Sequence, residues 1–210
     1  MTSRNRRFPG FDVLEQRRHW DGRTREVVMK RLGPHGQARF FTPDEEPVCR
    51  ALLESLLALE PDGVPVFELV DARLADGITD GWRYGDMPPD GETWRRSIAE
   101  LKRHRFERSG DAERHRTLES IRTSERFAGM PGKRLWDLWM RSACTAYYSH
   151  PSAWNEIGFG GPAYPRGYKN LGLDRREPWE VEEVDARDPV PWARRVEDAR
   201  QIAEEHRRAG

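Results

Sequence analysis

Two apolar stretches with helical spacing constrain the fold of this chain more than any other feature. In each, apolar residues recur three or four positions apart, which is the period of a helix with one buried face. The stretches predict helices over residues 48–59 and 133–148. Since strands and helices do not alternate along the chain, we predict a mainly α fold: an irregular multi-helix domain with a long, ordered Gly- and aromatic-rich loop near the C-terminus.

Capping and chain-breaking residues delimit the other predicted elements. Asp21 is a plausible N-cap for a helix through residue 31, and Thr42 to Glu45 has the form of a capping box. Pro151 should stop the helix before it. The remaining predictions are helices over 65–75, 92–108 and 192–207, an extended segment over 38–41, loops over 77–91 and 154–172, and either one long solvated helix or a mobile hairpin over 102–126.

These elements suggest three regions. Residues 1–37 form an N-terminal helical arm, and residues 38–172 form the main helical domain. Residues 173–210 form an acidic linker and a charged C-terminal helix.

Charge and hydropathy limit the class of protein. Lys and Arg number 36 and Asp and Glu number 36, so the chain lacks the basic excess of a general nucleic-acid binder. No apolar run reaches the ~18 residues of a membrane span. Arg6-Arg7-Phe8 hints at a twin-arginine signal, but Pro9, Gly10 and Asp12 follow instead of an apolar stretch. We expect a cytoplasmic chain, exported only if a partner carries the signal.

The apolar content leaves two interpretations open. Charged residues make up 34% of the chain and hydrophobic residues 36%, so the predicted core is thin for 210 residues. Either a partner completes part of the apolar surface, or the chain is a small domain with long solvated helices. The eight Trp offset the low aliphatic content, since each buried indole removes ~150–250 Å² from water.

The residues with reactive side chains do not form a recognisable catalytic motif. Cys49 and Cys144 are interpreted as buried thiols, with a disulfide between them left open. His150 is either a general base or metal ligand, or a structural histidine hydrogen-bonded at a helix end, which we favour. Residues 158–163 match the spacing of a dinucleotide fingerprint, but a polar segment precedes them and prolines follow, so we reject that site.

Glycine and aromatic residues interleave in the predicted loop over 154–172. Such a loop can stack on a sugar ring, pack against itself, or dock a partner, because Tyr, Trp and Arg are enriched at interfaces. We favour packing and docking over a sugar site.

Two motifs at the ends of this region resemble the gluconate 2-dehydrogenase subunit 3 family. Members pair a helix ending in Tyr-Ser-x-Pro, here residues 148–151, with a Gly-rich segment ending in Arg-Gly-Tyr, here residues 166–168. Phe40 to Pro43, leading into a Leu-rich helix, is also similar to the start of the family. The resemblance spans roughly residues 38–172.

The resemblance implies a non-catalytic accessory subunit. Small subunits of this family help a large partner of the glucose–methanol–choline oxidoreductases, which carries FAD and the catalytic residues, and some complexes add a cytochrome. No catalytic, cofactor-binding or metal residue carries over to this chain. The alternatives are a stand-alone carbohydrate-binding protein and a small-substrate enzyme using His150. Candidate docking residues are Tyr148, His150, Trp154, Phe159, Tyr164, Arg166 and Tyr168.

Overall fold

The fold is built from helices, as the apolar spacing predicts. A computed structural model describes residues 8–59, 63–170, 173 and 175–181. Within these ranges there is no strand, only an isolated β-bridge between Phe127 and Met130. The α-helices are α1 (Gly22–Lys30), α2 (Glu46–Leu57), α3 (Val66–Ala75), α4 (Asp90–Arg103), α5 (Asp111–Thr123), α6 (Gly132–Ser149) and α7 (Pro151–Ile157), with 3-10 helices at Val13–His19 and Phe106–Arg108.

Local capping sets where α1 and α2 begin. The Asp21 carboxylate accepts the amide proton of Thr24 at 2.7 Å, which confirms the predicted N-cap. Before α2, the Glu45 carboxylate accepts the amide proton of Thr42 at 2.9 Å, which is one half of the predicted capping box. Because α2 starts at Glu46, Pro47 lies in the first turn, where its missing N–H breaks no helical bond.

The charged middle of the chain is wrongly predicted. The helix expected to reach Arg108 ends at Arg103, and Arg105 has the left-handed conformation with φ of 53°. The reason is Phe106, which is 1% exposed and turns the chain into the core. The following segment is neither one long helix nor a mobile hairpin, because α5 packs on the core through Leu118 and Ile121.

The end of the second strong helix needs one correction as well. The predicted helix over 133–148 is confirmed, as α6 spans Gly132–Ser149. Pro151 does more than stop it: it opens α7, since a proline at the first helical position loses no hydrogen bond. The loop predicted to begin at residue 154 therefore begins only after Ile157. The predicted helix over 192–207 lies outside the described residues.

The main core lies between α2, α3, α4, α5 and α6, and Ala153 of α7 also belongs to it. Trp94 and Trp139 are fully buried at its centre, and the Trp139 indole donates to the Ser97 hydroxyl at 3.3 Å. Both cysteine thiols are free, with Cys49 buried and Cys144 half-buried. Burial raises the pKa of the Cys49 thiol well above its usual value, so this residue acts as a small apolar side chain.

A second, smaller core joins the N-terminal arm to α7. It consists of Val13, Trp20 and Val28 from the arm and Trp154 from α7. The amide of Val13 also donates to the Asn155 side chain at 2.7 Å. The arm thus packs on the C-terminal end of the helical domain. No helix among the described residues is both long and apolar enough to cross a bilayer.

Candidate docking site

His150 forms the junction between α6 and α7. It is 6% exposed and has extended backbone angles, so it closes α6 and serves as the N-cap of α7. Its Nδ1 accepts the amide proton of Ser152 at 3.2 Å, as expected for a structural histidine at a helix end. Burial, and then the nearby His35, lower the pKa of the imidazole. Nδ1 is therefore engaged, which disfavours a role as general base.

His150 has few neighbours that could share a metal ion. The His35 ring lies 6.5 Å from it between centroids. Nowhere in the described ranges do three or more His, Cys, Asp or Glu side chains come together in a way that could hold a metal. The geometry at this junction is that of a helix connection.

Trp154 is an internal anchor of the region. It is 4% exposed, and its indole N–H donates to the Tyr148 carbonyl at 2.7 Å. The Phe159 ring meets it edge to face at 5.4 Å. From the arm, the Arg31 guanidinium lies 5.8 Å from the Trp154 ring centroid and donates to the Ser149 carbonyl at 3.0 Å. Trp154 thus connects the end of α6 to the arm.

The glycines after α7 are required by aromatic rings that lie against the backbone. A Cβ on Gly158 would sit 2.5 Å from the Phe8 ring, and one on Gly161 would sit 2.7 Å from the Trp20 ring. A Cβ on Gly160 would sit 2.7 Å from Trp179. We call the segment from Gly158 to Gly161 the glycine clasp. Because it follows the C-terminal end of a helix, it lacks the helix N-terminus that a dinucleotide phosphate requires.

Arg166 fastens the segment after the glycine clasp. Its guanidinium donates to the Gln16 side chain at 3.0 Å and to the Gly160 carbonyl at 3.3 Å. It also stacks 3.8 Å from the Trp179 ring centroid. Gln16 and Trp179 were not among the predicted site residues. Only the repeated pairing of glycine with aromatic residues could have pointed to them, and that pattern does not name the ring each glycine meets.

The predicted docking residues divide into two groups. His150 and Trp154 are buried, and Arg166 is half-buried and engaged, so these three shape the region from inside. The exposed members are Tyr148 (51%), Phe159 (39%), Tyr164 (65%) and Tyr168 (53%). We call these four rings the aromatic surface.

The aromatic surface rests on residues that contact one another. Phe159 packs on Trp154, and Tyr168 lies 6.2 Å from Trp179 between centroids. Since Gly160 of the glycine clasp lies against Trp179 and directly follows Phe159, Phe159 and Tyr168 share one support. Exposed aromatic side chains on a rigid support are typical of binding surfaces, because little conformational entropy is lost on contact.

Another exposed aromatic side chain, Trp82, lies in the loop over 77–91 beside the half-buried Tyr84. Trp82 is 51% exposed and meets Tyr84 edge to face at 5.4 Å. The Arg141 guanidinium lies 4.3 Å from the Trp82 ring centroid and reaches Asp80 at 2.8 Å. Here the exposed ring is already stacked against a cation of the same chain.

Comparison with known families gives one match. The sequence model described as gluconate 2-dehydrogenase subunit 3 matches residues 43–161, more than half of the 210 residues. The match covers α2 to α7 and the whole glycine clasp, and it ends before the Arg-Gly-Tyr motif at 166–168. No curated protein and no solved structure is significantly similar to the chain.

Proposed function

Because this chain belongs to the gluconate 2-dehydrogenase subunit 3 family, we propose that it is an accessory subunit of a dehydrogenase complex. The family match over residues 43–161 is the observation that carries this proposal. In the proposed complex the chain is non-catalytic, and it binds and stabilises a larger subunit that performs the oxidation.

The proposed partner is a flavoprotein of the glucose–methanol–choline type, which holds FAD and acts on a sugar, sugar acid or polyol. A cytochrome is an optional third subunit. This follows the resemblance at residues 148–168 and not any cofactor-binding geometry of this chain. A cytoplasmic location stays a prediction from the sequence, and cell fractionation with the tagged chain tests it.

The aromatic surface is the proposed contact with the large subunit. Its support is unusually well fixed for a segment with little regular structure, since the glycine clasp, Arg166 and the N-terminal arm all hold it. A preorganised surface loses less entropy on binding than a flexible loop does. Exposed Tyr and Phe rings are residue types that bury large apolar areas in interfaces.

Removal of the chain from its host tests the proposal. We expect both the amount of the soluble large subunit and the sugar-dependent dehydrogenase activity to fall, and the wild-type chain to restore them. His150→Asn, which keeps a side chain that can cap α7, should restore activity, because no proposed chemistry uses the imidazole. Unchanged levels of large subunit and activity in the deletion strain would contradict an accessory role.

A carbohydrate-binding protein is the second candidate, because the rings of Tyr164 and Tyr168 are the most accessible of the aromatic surface. It predicts that sugars change the tryptophan fluorescence of the isolated chain, since Trp179 lies beside Tyr168. The accessory-subunit proposal predicts no response of the isolated chain to sugars.

A further inference from the structure

The junction between α6 and α7 requires His150 in its neutral form. Its Nδ1 accepts the Ser152 amide proton at 3.2 Å, a role that only an unprotonated nitrogen can take. The residue is 6% exposed, so little water is available at the closed junction to replace this bond. The cap of α7 therefore depends on the charge state of one imidazole.

The groups packed around this imidazole do not favour a positive charge. His35, from the linker after α1, lies 6.5 Å away between ring centroids. Arg31, at the end of α1, places its guanidinium on the neighbouring Ser149 carbonyl at 3.0 Å. The carboxylate of α7, Glu156, is hydrogen-bonded to the Tyr147 hydroxyl. Burial and His35 are the causes of the pKa shift of His150, and no described carboxylate contributes to it.

We propose that His150 is an acid-sensitive latch, whose protonation releases α7 and the N-terminal arm from each other. Protonation places an N–H on Nδ1, which then opposes the Ser152 N–H instead of accepting from it. It also places a positive charge at the N-terminus of α7, where the helix dipole is unfavourable to cations. This inference concerns the chain alone and does not rest on the proposed function.

Loss of the α7 cap should affect the N-terminal arm through Trp154. This side chain belongs to α7, and its ring packs with Val13, Trp20 and Val28 of the arm. Without its cap, α7 is less stable. Trp154, the residue that α7 contributes to the second core, should then lose its contacts with the arm. The arm and the glycine clasp should then open together. The main core around Trp94 and Trp139 should stay closed, because Ala153 is the one buried residue that α7 contributes to it among the described residues.

The pH range in which the latch opens follows from the direction of the pKa shift of His150. Burial and His35 lower the pKa of His150, so the folded junction binds a proton less readily than the opened one. The stabilisation by neutral His150 is complete above the ordinary histidine pKa of about 6.5 and is lost as the pH falls below it. The latch is closed at neutral pH and opens in mild acid.

Amide hydrogen exchange of the full-length chain at about pH 7.5 and about pH 5 tests the latch. After correction for the intrinsic exchange rate, protection over residues 13–30 and 151–161 should fall by up to about tenfold per pH unit, the limit for uptake of one proton. Protection in α4 and α6 should stay unchanged. An equal loss throughout the chain, or no loss at all, would overturn the proposal.

Two variants assign the effect to His150. His150→Asn keeps a side chain that caps helices well but does not titrate, so protection over 151–161 should be the same at both pH values. A cavity left by the smaller side chain would lower protection equally at both pH values. The quantity to compare is therefore the difference in protection between the two pH values. His115→Gln, on the exposed face of α5, should keep the wild-type response. A pH response that persists in His150→Asn would show that another group is responsible.

Discussion

At the scale of single residues, Asp71 shows how a buried charge is used for structure. Its carboxylate is 2% exposed and accepts the amide protons of Arg39 at 2.7 Å, Phe40 at 3.0 Å and Phe41 at 2.9 Å. Three backbone donors replace the water that the carboxylate loses on burial. The residue therefore fixes the linker before α2 onto α3.

Asp71→Ala should lower the free energy of unfolding by about 2–3 kcal/mol, because it leaves buried amide protons without an acceptor. The control is Asp76→Ala, which removes an exposed ion pair with Arg39 and should lower the free energy of unfolding far less than Asp71→Ala does. Urea unfolding followed by circular dichroism measures both. Equal losses in the two variants would contradict the structural role of Asp71.

Gly161→Ala tests the packing of the glycine clasp. Gly161 and Gly167 both have positive φ, of 75° and 68°, so alanine is strained by a similar amount at each. Only at Gly161 would the new Cβ meet a ring, that of Trp20, while the space at Gly167 is open. Gly161→Ala should therefore be less stable than Gly167→Ala by about 1–3 kcal/mol, as measured by urea unfolding. Similar stabilities would show that the ring contact is unimportant.

At the scale of elements, the sequence predicted the strongly periodic helices and missed the features that depend on distant residues. The apolar stripes of α2 and α6 are long enough to show their period, and both helices are found where they were expected. Helix α7 has only seven residues, too few for a period, and Pro151 suits a helix start as well as a stop. The end of α4 depends on Phe106 entering the core, which no local pattern shows.

The sequence predicted only part of the candidate site, because the rest also depends on contacts between residues far apart in the chain. Composition picks out aromatic residues near glycines, but it cannot separate rings that face solvent, such as Tyr164, from rings that the fold buries, such as Trp154. That separation depends on the N-terminal arm, whose Trp20 and Val28 cover Trp154 from more than a hundred residues away in sequence. Contacts over such separations have no signature in a single sequence.

Trp20→Ala should loosen the arm and α7 without unfolding the main core. Trp20 belongs to the second core, whereas Trp94 is fully buried in the first. Hydrogen exchange should therefore speed up over residues 13–30 and 151–161 in Trp20→Ala, with α2, α4 and α6 unchanged. Trp94→Ala should destabilise the whole chain by about 3–5 kcal/mol. A uniform loss of protection in Trp20→Ala would mean that the two cores unfold as one unit.

At the scale of the whole molecule, the net charge does not indicate where a partner binds, but the exposed aromatic side chains do. The net charge is zero, so long-range attraction to a strongly charged partner is weak. Phe159 of the aromatic surface packs on Trp154, where the arm meets α7, whereas Trp82 stacks with Arg141 of its own chain. The aromatic surface is therefore the part of the molecule we expect a partner to cover.

Tyr164→Ala combined with Tyr168→Ala should weaken binding of the large subunit by at least about tenfold, as expected for the loss of two interface aromatics. Neither substitution should change the stability of the chain, because both rings are mostly exposed. Ile78→Ser, at an apolar residue that is also about half exposed, in the loop over 77–91, is the control and should bind normally. Weaker binding in the control alone would place the contact at the Trp82 loop.

The most direct test of the accessory-subunit proposal is capture of the tagged full-length chain from its native host, followed by an absorption spectrum of the eluate. The proposal predicts a second, larger polypeptide with a visible flavin band that is bleached by a sugar, sugar acid or polyol. A chain that elutes alone and colourless, from cells that make the dehydrogenase, would contradict it.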